Sequence, residues 1–331
     1  MNMAKSNGIE LAYDCFGKAD DAPLLLIAGL GTQMIRWTSA FCEDLADKGY
    51  RVIRFDNRDV GRSTHFDRSG TPDFAMIGQA LMAGRRPEAP YTLCEMAKDT
   101  IGLMDALGID GAHLVGRSMG GMIAQIVASE YPDRAFSLTS IMSSTGNPAL
   151  PPPMADAMAL MTTPAPDPAA DEVGFLANRV TFARRIAGTG FPFDESACRE
   201  LVLAELRRAY DPAGTARQIA AVAVTGDRRS RLATITVPTL VIHGSDDPLF
   251  LPACGLDTAN SIPKADFMLI EGMGHDLPPP LFAAIIKAID RNARHDLPDK
   301  HYPRVIKCPP VACSCFNWPV IPDISAILSL L

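Results

Sequence analysis

The chain has 331 residues, is 47% hydrophobic and 21% charged, and carries a formal charge of −7, with an isoelectric point near 5.4. Such a composition supplies enough apolar material for one large globular domain or two modest ones. Its acidity argues against a nucleic-acid or anionic-membrane surface, and no stretch approaches the roughly 20 apolar residues that would span a bilayer.

The N-terminus, MNMAKSNGIELAYD, turns polar within a few residues and lacks an apolar h-region. No secretory signal is expected, and a cytoplasmic location follows. GIELAYDCFG alternates apolar and polar residues and predicts a half-exposed strand. APLLLIAGLG is a continuous apolar run, the mark of a strand buried on both faces. SAFCEDLADKGY has helical spacing and ends at Gly49, RVIRFDNR is a strand, and YTLCEMAKDTIGLMDALGI is a long amphipathic helix. AHLVG then predicts a buried strand, MIAQIVASEY a helix and AFSLTSIMSS another strand. This alternation predicts an α/β class, doubly wound, with a mostly parallel sheet and helices on both faces.

Near Gly146 the character changes to Pro-, Ala- and Met-rich sequence. Helix-patterned segments such as EVGFLANRVTFARRIAG, ESACRELVLAELRRAY and ARQIAAVAV run on to about Leu232. Strand and helix alternate again through PTLVIHGSDD, ADFMLIEGMG and PPLFAAIIKAIDRNAR. The expected division is a core of residues 1–145 and 233–296, a helical insertion over 146–232, and an appendage over 297–331. A second independent domain is the poorer reading, because the sheet pattern closes only after the insertion. The appendage is punctuated by prolines and lacks a helical or alternating period, which predicts a disordered or loosely packed extension. The eight cysteines (Cys15, Cys42, Cys94, Cys198, Cys254, Cys308, Cys313 and Cys315) are scattered apart from one C-x-C. That pattern suits reduced, buried thiols, and no C-x-x-C pair or clustered His/Cys set points to a metal.

GRSMG, Gly116 to Gly120, fits G-x-S-x-G between a predicted strand and a predicted helix. A serine on such a turn has a crowded backbone, so the residues two before and two after must be small. The helix N-terminus offers free amides to a developing oxyanion. Ser118 is therefore a candidate nucleophile, and a serine hydroxyl needs a base, usually a histidine held by a carboxylate. Of the six histidines, His275 sits in the glycine-bracketed loop EGMGHDLP after the last predicted strand, where its side chain can reach back over the sheet edge. His113 and His243 fall in predicted strands and read as structural; His295 and His301 lie at the helix end and in the tail. His65 could lie near the site, but its setting does not suggest a base. In VIHGSDDPLFLP the G-x-x-D-P spacing from Gly244 favours Asp247 as the carboxylate, with Asp246 the runner-up and expected to be a solvated turn residue. Asp276 is too close to His275 in sequence to orient the ring and is expected to be exposed. The oxyanion donors would be the backbone amides of Met119 and of Leu30, which lies in the glycine-flanked loop after PLLLIAG.

With GRSMGG, GSDDP, GMGHD and the loop DNRDVGRST from Asp56 in place, the first 295 or so residues resemble the α/β-hydrolase superfamily. RDVGRST, GTGFPFD, ITVPTLVI and GMGHDLP look like the aclacinomycin methylesterase branch and related bacterial esterases. The resemblance implies an eight-stranded sheet with a helical cap between strands six and seven. It also implies Ser118 as nucleophile, His275 as base, Asp247 as acid and the Leu30 and Met119 amides as oxyanion hole. The implied activity is hydrolysis of a carboxylic ester, a small molecule, by water, without cofactor, metal or nucleic acid. Met154, Met158, Met161, Phe175 and Phe182 of the insertion would wall the pocket or pack between its helices. Acyl transfer, perhydrolysis and C–C bond hydrolysis on the same triad remain alternatives, as does a non-catalytic ligand-binding homologue. Dehalogenases and epoxide hydrolases are disfavoured, since those relatives carry aspartate where Ser118 stands. One departure is AGLG where many relatives have His-Gly, which leaves open how the first loop is held.

Overall fold

The computed structural model describes residues 1–85 and 87–295, together with the backbone of 305–306. Strands β1 (Asn2–Ser6) and β2 (Ile9–Phe16) open the chain as a hairpin. Its turn is Asn7–Gly8, both at positive φ (47° and 80°), the conformation that matches the twist of two-residue hairpins. Next come β3 (Ala22–Ile27), α1 (Ser39–Ala46), β4 (Tyr50–Phe55), α2 (Phe74–Met82), α3 (Leu93–Ala106), β5 (Ala112–Arg117), α4 (Met119–Glu130) and β6 (Ala135–Ile141). Five helices follow before the next strand: α5 (Ala155–Thr162), α6 (Glu172–Ile186), α7 (Glu195–Arg208), α8 (Pro212–Thr225) and α9 (Arg229–Leu232). The chain then returns to the sheet through β7 (Thr239–Gly244), α10 (Pro252–Ser261), β8 (Asp266–Ile270) and α11 (Phe282–Ala293).

These eight strands form one sheet in the order β1-β2-β4-β3-β5-β6-β7-β8. β1 and β2 run antiparallel to their neighbours, and every pairing from β4 onward is parallel. A two-residue strand β9 (Val305–Ile306) adds to the β8 edge. Apart from that pair, the expected appendage, with Cys308, Cys313, Cys315 and His301, lies outside the described residues. The continuous apolar runs follow from burial on two faces. Along β3, Leu25 and Ile27 join the cluster under α3 and α4, whereas Leu24 and Leu26 join the one under α1 and α11. All four are fully buried, and each stabilises the fold by about 1.5–3 kcal/mol. The thiols depart from the expectation of burial: Cys42 and Cys254 are buried, but Cys15 is exposed and Cys94 and Cys198 are half-buried, all of them free. Surface positions on β2, α3 and α7 account for the difference. Among the described residues no helix is long and apolar enough to cross a membrane.

Candidate active site

β5 ends at Arg117 and α4 begins at Met119, so Ser118 alone makes the bend between them. Its backbone is at φ 55°, ψ −123°, which a non-glycine residue adopts only where the surroundings enforce it. The flanking glycines are imposed by space. A Cβ on Gly116 would lie 2.2 Å from the Gly120 carbonyl oxygen, and one on Gly120 would lie 2.1 Å from that of Ile27. Both obstacles are backbone, which cannot swing aside.

The Ser118 hydroxyl donates to His275 Nε2 at 3.0 Å, and His275 Nδ1 donates to Asp247 Oδ2 at 2.7 Å. Asp247 and His275 are buried and Ser118 is half-buried. The other Asp247 oxygen accepts from the amides of Leu249 and Phe250, each at 2.9 Å, which fixes the carboxylate at the turn after β7. A second imidazole lies close by: His243 Nε2 is 3.6 Å from Asp247 Oδ2. That nitrogen donates to the Phe250 carbonyl at 2.6 Å, while Nδ1 is buried without a partner among the described residues. Burial pushes the His243 pKa down, despite the Asp247 charge. His243 is thus a neutral wall, and Asp247 Oδ2 is left to His275 Nδ1.

The insertion holds the histidine loop. The His275 amide donates to the Ile186 carbonyl at 2.6 Å and the Gly274 amide to that of Ala187 at 3.1 Å; Thr189 and Gly190 donate to Gly272 in return. This pairing is the structural content of GTGFPFD and GMGHDLP. Asp246 belongs to the same join, because its carboxylate accepts from the Thr189 amide and hydroxyl. Half-buried and bonded, it departs from the expected solvated turn residue. Asp276 also differs from expectation: it is half-buried rather than exposed, within electrostatic reach of Arg36 and the buried Arg117.

Across from Ser118, an added Cβ on Gly29 would lie 3.3 Å from Ser118 Cβ. The neighbouring Leu30 amide and the Met119 amide have no acceptor among the described residues. Beginning at Gly31, a cavity of about 300 Å³ runs between this loop and the insertion. Of the expected pocket residues, Met161 and Phe175 line it. Met158 and Phe182 are half-buried and do not line it, and Met154, 44% exposed at the start of α5, faces solvent. Phe175 also packs on Leu176 and Val202, and neither Ser118, His275 nor Asp247 lines the cavity.

The loop after β4 supplies residues that motif reading noticed without assigning. Asp56 accepts from the Met34 amide and from Arg208; Asn57 donates to the Ala28 carbonyl; Arg58 forms a buried bidentate pair with Asp99. Asp59, His65 and Asp211 form a cluster with the spacing of a metal site. Arg217 already fills it, donating to Asp59 at 2.7 and 2.9 Å and to Asp211 at 3.0 Å. Tyr91 and the Phe66 amide take the remaining Asp59 capacity. A cation would have to displace that guanidinium, so the cluster is an ion-pair network.

A family model described as the alpha/beta hydrolase fold matches residues 22–278. The chain is 34% identical over 309 residues to rhodomycin D methylesterase DauP of Streptomyces sp. (strain C5), covering 86% of this chain and 96% of that protein. It is 33% identical over 306 residues to rhodomycin D methylesterase DnrP of Streptomyces peucetius, with the same coverage. Among solved structures, the enol-lactonase from Burkholderia xenovorans LB400 superposes with a TM-score of 0.65 at 24% identity, over 88% of this chain and 100% of that one. A thermophilic esterase from Thermogutta terrifontis gives 0.63 at 23% identity, over 88% and 98%. At such identities the structures speak for the fold alone. The family match over most of the chain, and the two methylesterases matched over nearly their whole length, make this protein a member of the α/β-hydrolase family.

Proposed function

We propose that the protein is a serine carboxylesterase acting on small to medium esters, methyl esters among them. One observation carries the reading: Ser118, His275 and Asp247 form a continuous hydrogen-bonded line at the C-terminal edge of the sheet, beside two amides without acceptors among the described residues. The likeness to two proteins named methylesterases supports the choice of ester.

In this mechanism Ser118 Oγ attacks the ester carbonyl carbon as its proton passes to His275 Nε2. Asp247 holds Nδ1–H and stabilises the imidazolium that results. The carbonyl oxygen becomes an oxyanion and accepts from the Leu30 and Met119 amides; losing one such donor typically costs about 2.7–4 kcal/mol of barrier. The bond to the alcohol oxygen breaks, the alcohol takes the proton from Nε2, and the acyl group stays on Ser118. Water then attacks the acyl carbon as His275 takes its proton. The acid leaves and Ser118 recovers its hydrogen.

Hydrolysis of p-nitrophenyl acetate, p-nitrophenyl butyrate and a panel of methyl esters tests the reading. Ser118→Ala should lose about 10³-fold or more of kcat. A wild type that turns over none of these esters would sink it. Products identify the rivals on the same triad: a transferred ester for acyl transfer, a peracid for perhydrolysis.

A further inference from the structure

The loop that carries Leu30 lacks the His-Gly pair common among relatives, and the structure supplies another support. Gln218 on α8 is fully buried. Its Oε1 accepts from the Gly31 amide at 2.8 Å, and its Nε2 donates to the Arg58 carbonyl at 2.8 Å. One side chain from the insertion thus spans two core loops. The Arg58 end is a firm anchor, because that side chain is locked on Asp99 at 2.6 Å through both Nε and Nη2. Gly31 sits at φ 59°, and a Cβ there would lie 2.8 Å from Thr215 Oγ1, on the turn of α8 before Gln218. Between Gly29, pressed on Ser118, and Gly31, bonded to Gln218, lies the Leu30 peptide.

We propose that Gln218 is the positioning residue of the oxyanion hole: by bonding the Gly31 amide it fixes the direction of the Leu30 N–H. This inference rests on the esterase reading above. An oxyanion donor works only if its hydrogen already points at the place where charge will develop. Without Gln218 the half-buried Gly31 amide, at the rim of the cavity, would lose its protein acceptor, and the loop would be free to turn. Gln218 itself does not line the cavity, so the loss falls on the transition state and not on ground-state binding.

The test uses Gln218→Met, close in shape but without either bond, assayed with p-nitrophenyl butyrate. It is also assayed with an alkyl trifluoromethyl ketone, whose adduct with Ser118 carries an oxyanion. We expect kcat to fall about 10–100-fold with KM within about threefold of wild type, and ketone affinity to fall by a factor similar to kcat. Thermal unfolding checks that the variant is folded. If Gln218→Met does not fold, Gln218→Glu, which keeps an acceptor for Gly31, should show the same split at smaller size. A folded Gln218→Met with kcat near wild type, or one that loses kcat while holding the ketone as tightly, overturns the positioning role alone. A wild type that neither hydrolyses esters nor binds the ketone overturns the esterase reading and this role with it.

Discussion

A carboxylate shared by two imidazoles works as a catalytic partner only if one of them stays neutral. His243, closed in by the Phe250 carbonyl and by Gly255 against its ring, meets that condition. Asp247→Asn should therefore lower kcat/KM by about 10³–10⁴-fold, because an amide can hold the wrong tautomer of His275. Asp246→Asn should leave kcat/KM within about tenfold and lower stability by about 1 kcal/mol through the weakened Thr189 join. Steady-state kinetics of the two variants check the contrast. At the elbow, Gly120→Ala drives a methyl group into backbone, so no folded protein should accumulate; circular dichroism of any soluble fraction reads this directly. Ser118, Asp247 and His275 were legible because each stands in a short local pattern at a strand end. Gln218 was not, since its partner is 187 residues away, and ARQIAAVAV reads only as helix. Asp276 was misjudged for a related reason: its environment is made by Arg36 and Arg117, from other parts of the chain.

Among the elements, β1 shows both the reach and the limit of pattern reading. Its alternation is faint, with only Ala4 and Ser6 buried, so it reads as polar lead-in. Asn7-Gly8 was the available signal, the turn pair most typical of a two-residue hairpin. Helix α2 was missed for the opposite reason, being apolar almost throughout, with Met76 and Met82 exposed. Between elements, His65 joins the β4 loop to the N-terminus of α8. Its Nδ1 meets Asp211 at 2.8 Å and its Nε2 meets the Gly61 carbonyl at 3.1 Å, so both bonds require the charged ring. Burial opposes that charge, but Asp211 and Gly61 outweigh it and raise the pKa. For Asp211, burial is likewise outweighed, by His65 and the Gly214 amide, and its carboxyl is held below the usual range. A histidine with a raised pKa stabilises the fold fully below its unfolded value of about 6.5 and loses that contribution as pH climbs through the folded value. The stability gap between wild type and His65→Gln, about 1 kcal/mol, should be widest in mild acid and close toward alkaline pH in urea titrations. The buried Arg58–Asp99 pair predicts a different signature: Arg58→Met alone should cost about 3–5 kcal/mol, and Arg58→Met with Asp99→Leu much less.

At the scale of the molecule, the α/β architecture was legible because parallel strands buried on both faces leave long apolar runs between amphipathic helices. The relation of the insertion to the core was not, because the joins are made by single amides and side chains. Ile186 to Gly190 grips the histidine loop, Gln218 the Gly29–Gly31 loop, and Gln33 and Arg36 bond α7 and its C-terminal end from the core side. The helices that bound the cavity are thereby fastened to the parts that would perform the chemistry. Modular exchange is then a poor route to new substrates: a transplanted insertion from a relative should yield an inactive chimera unless residues 186–190 and 211–218 of this chain are kept. Diversification within such a lineage would proceed by single changes on the free faces of α5 and α6, leaving the fastenings untouched.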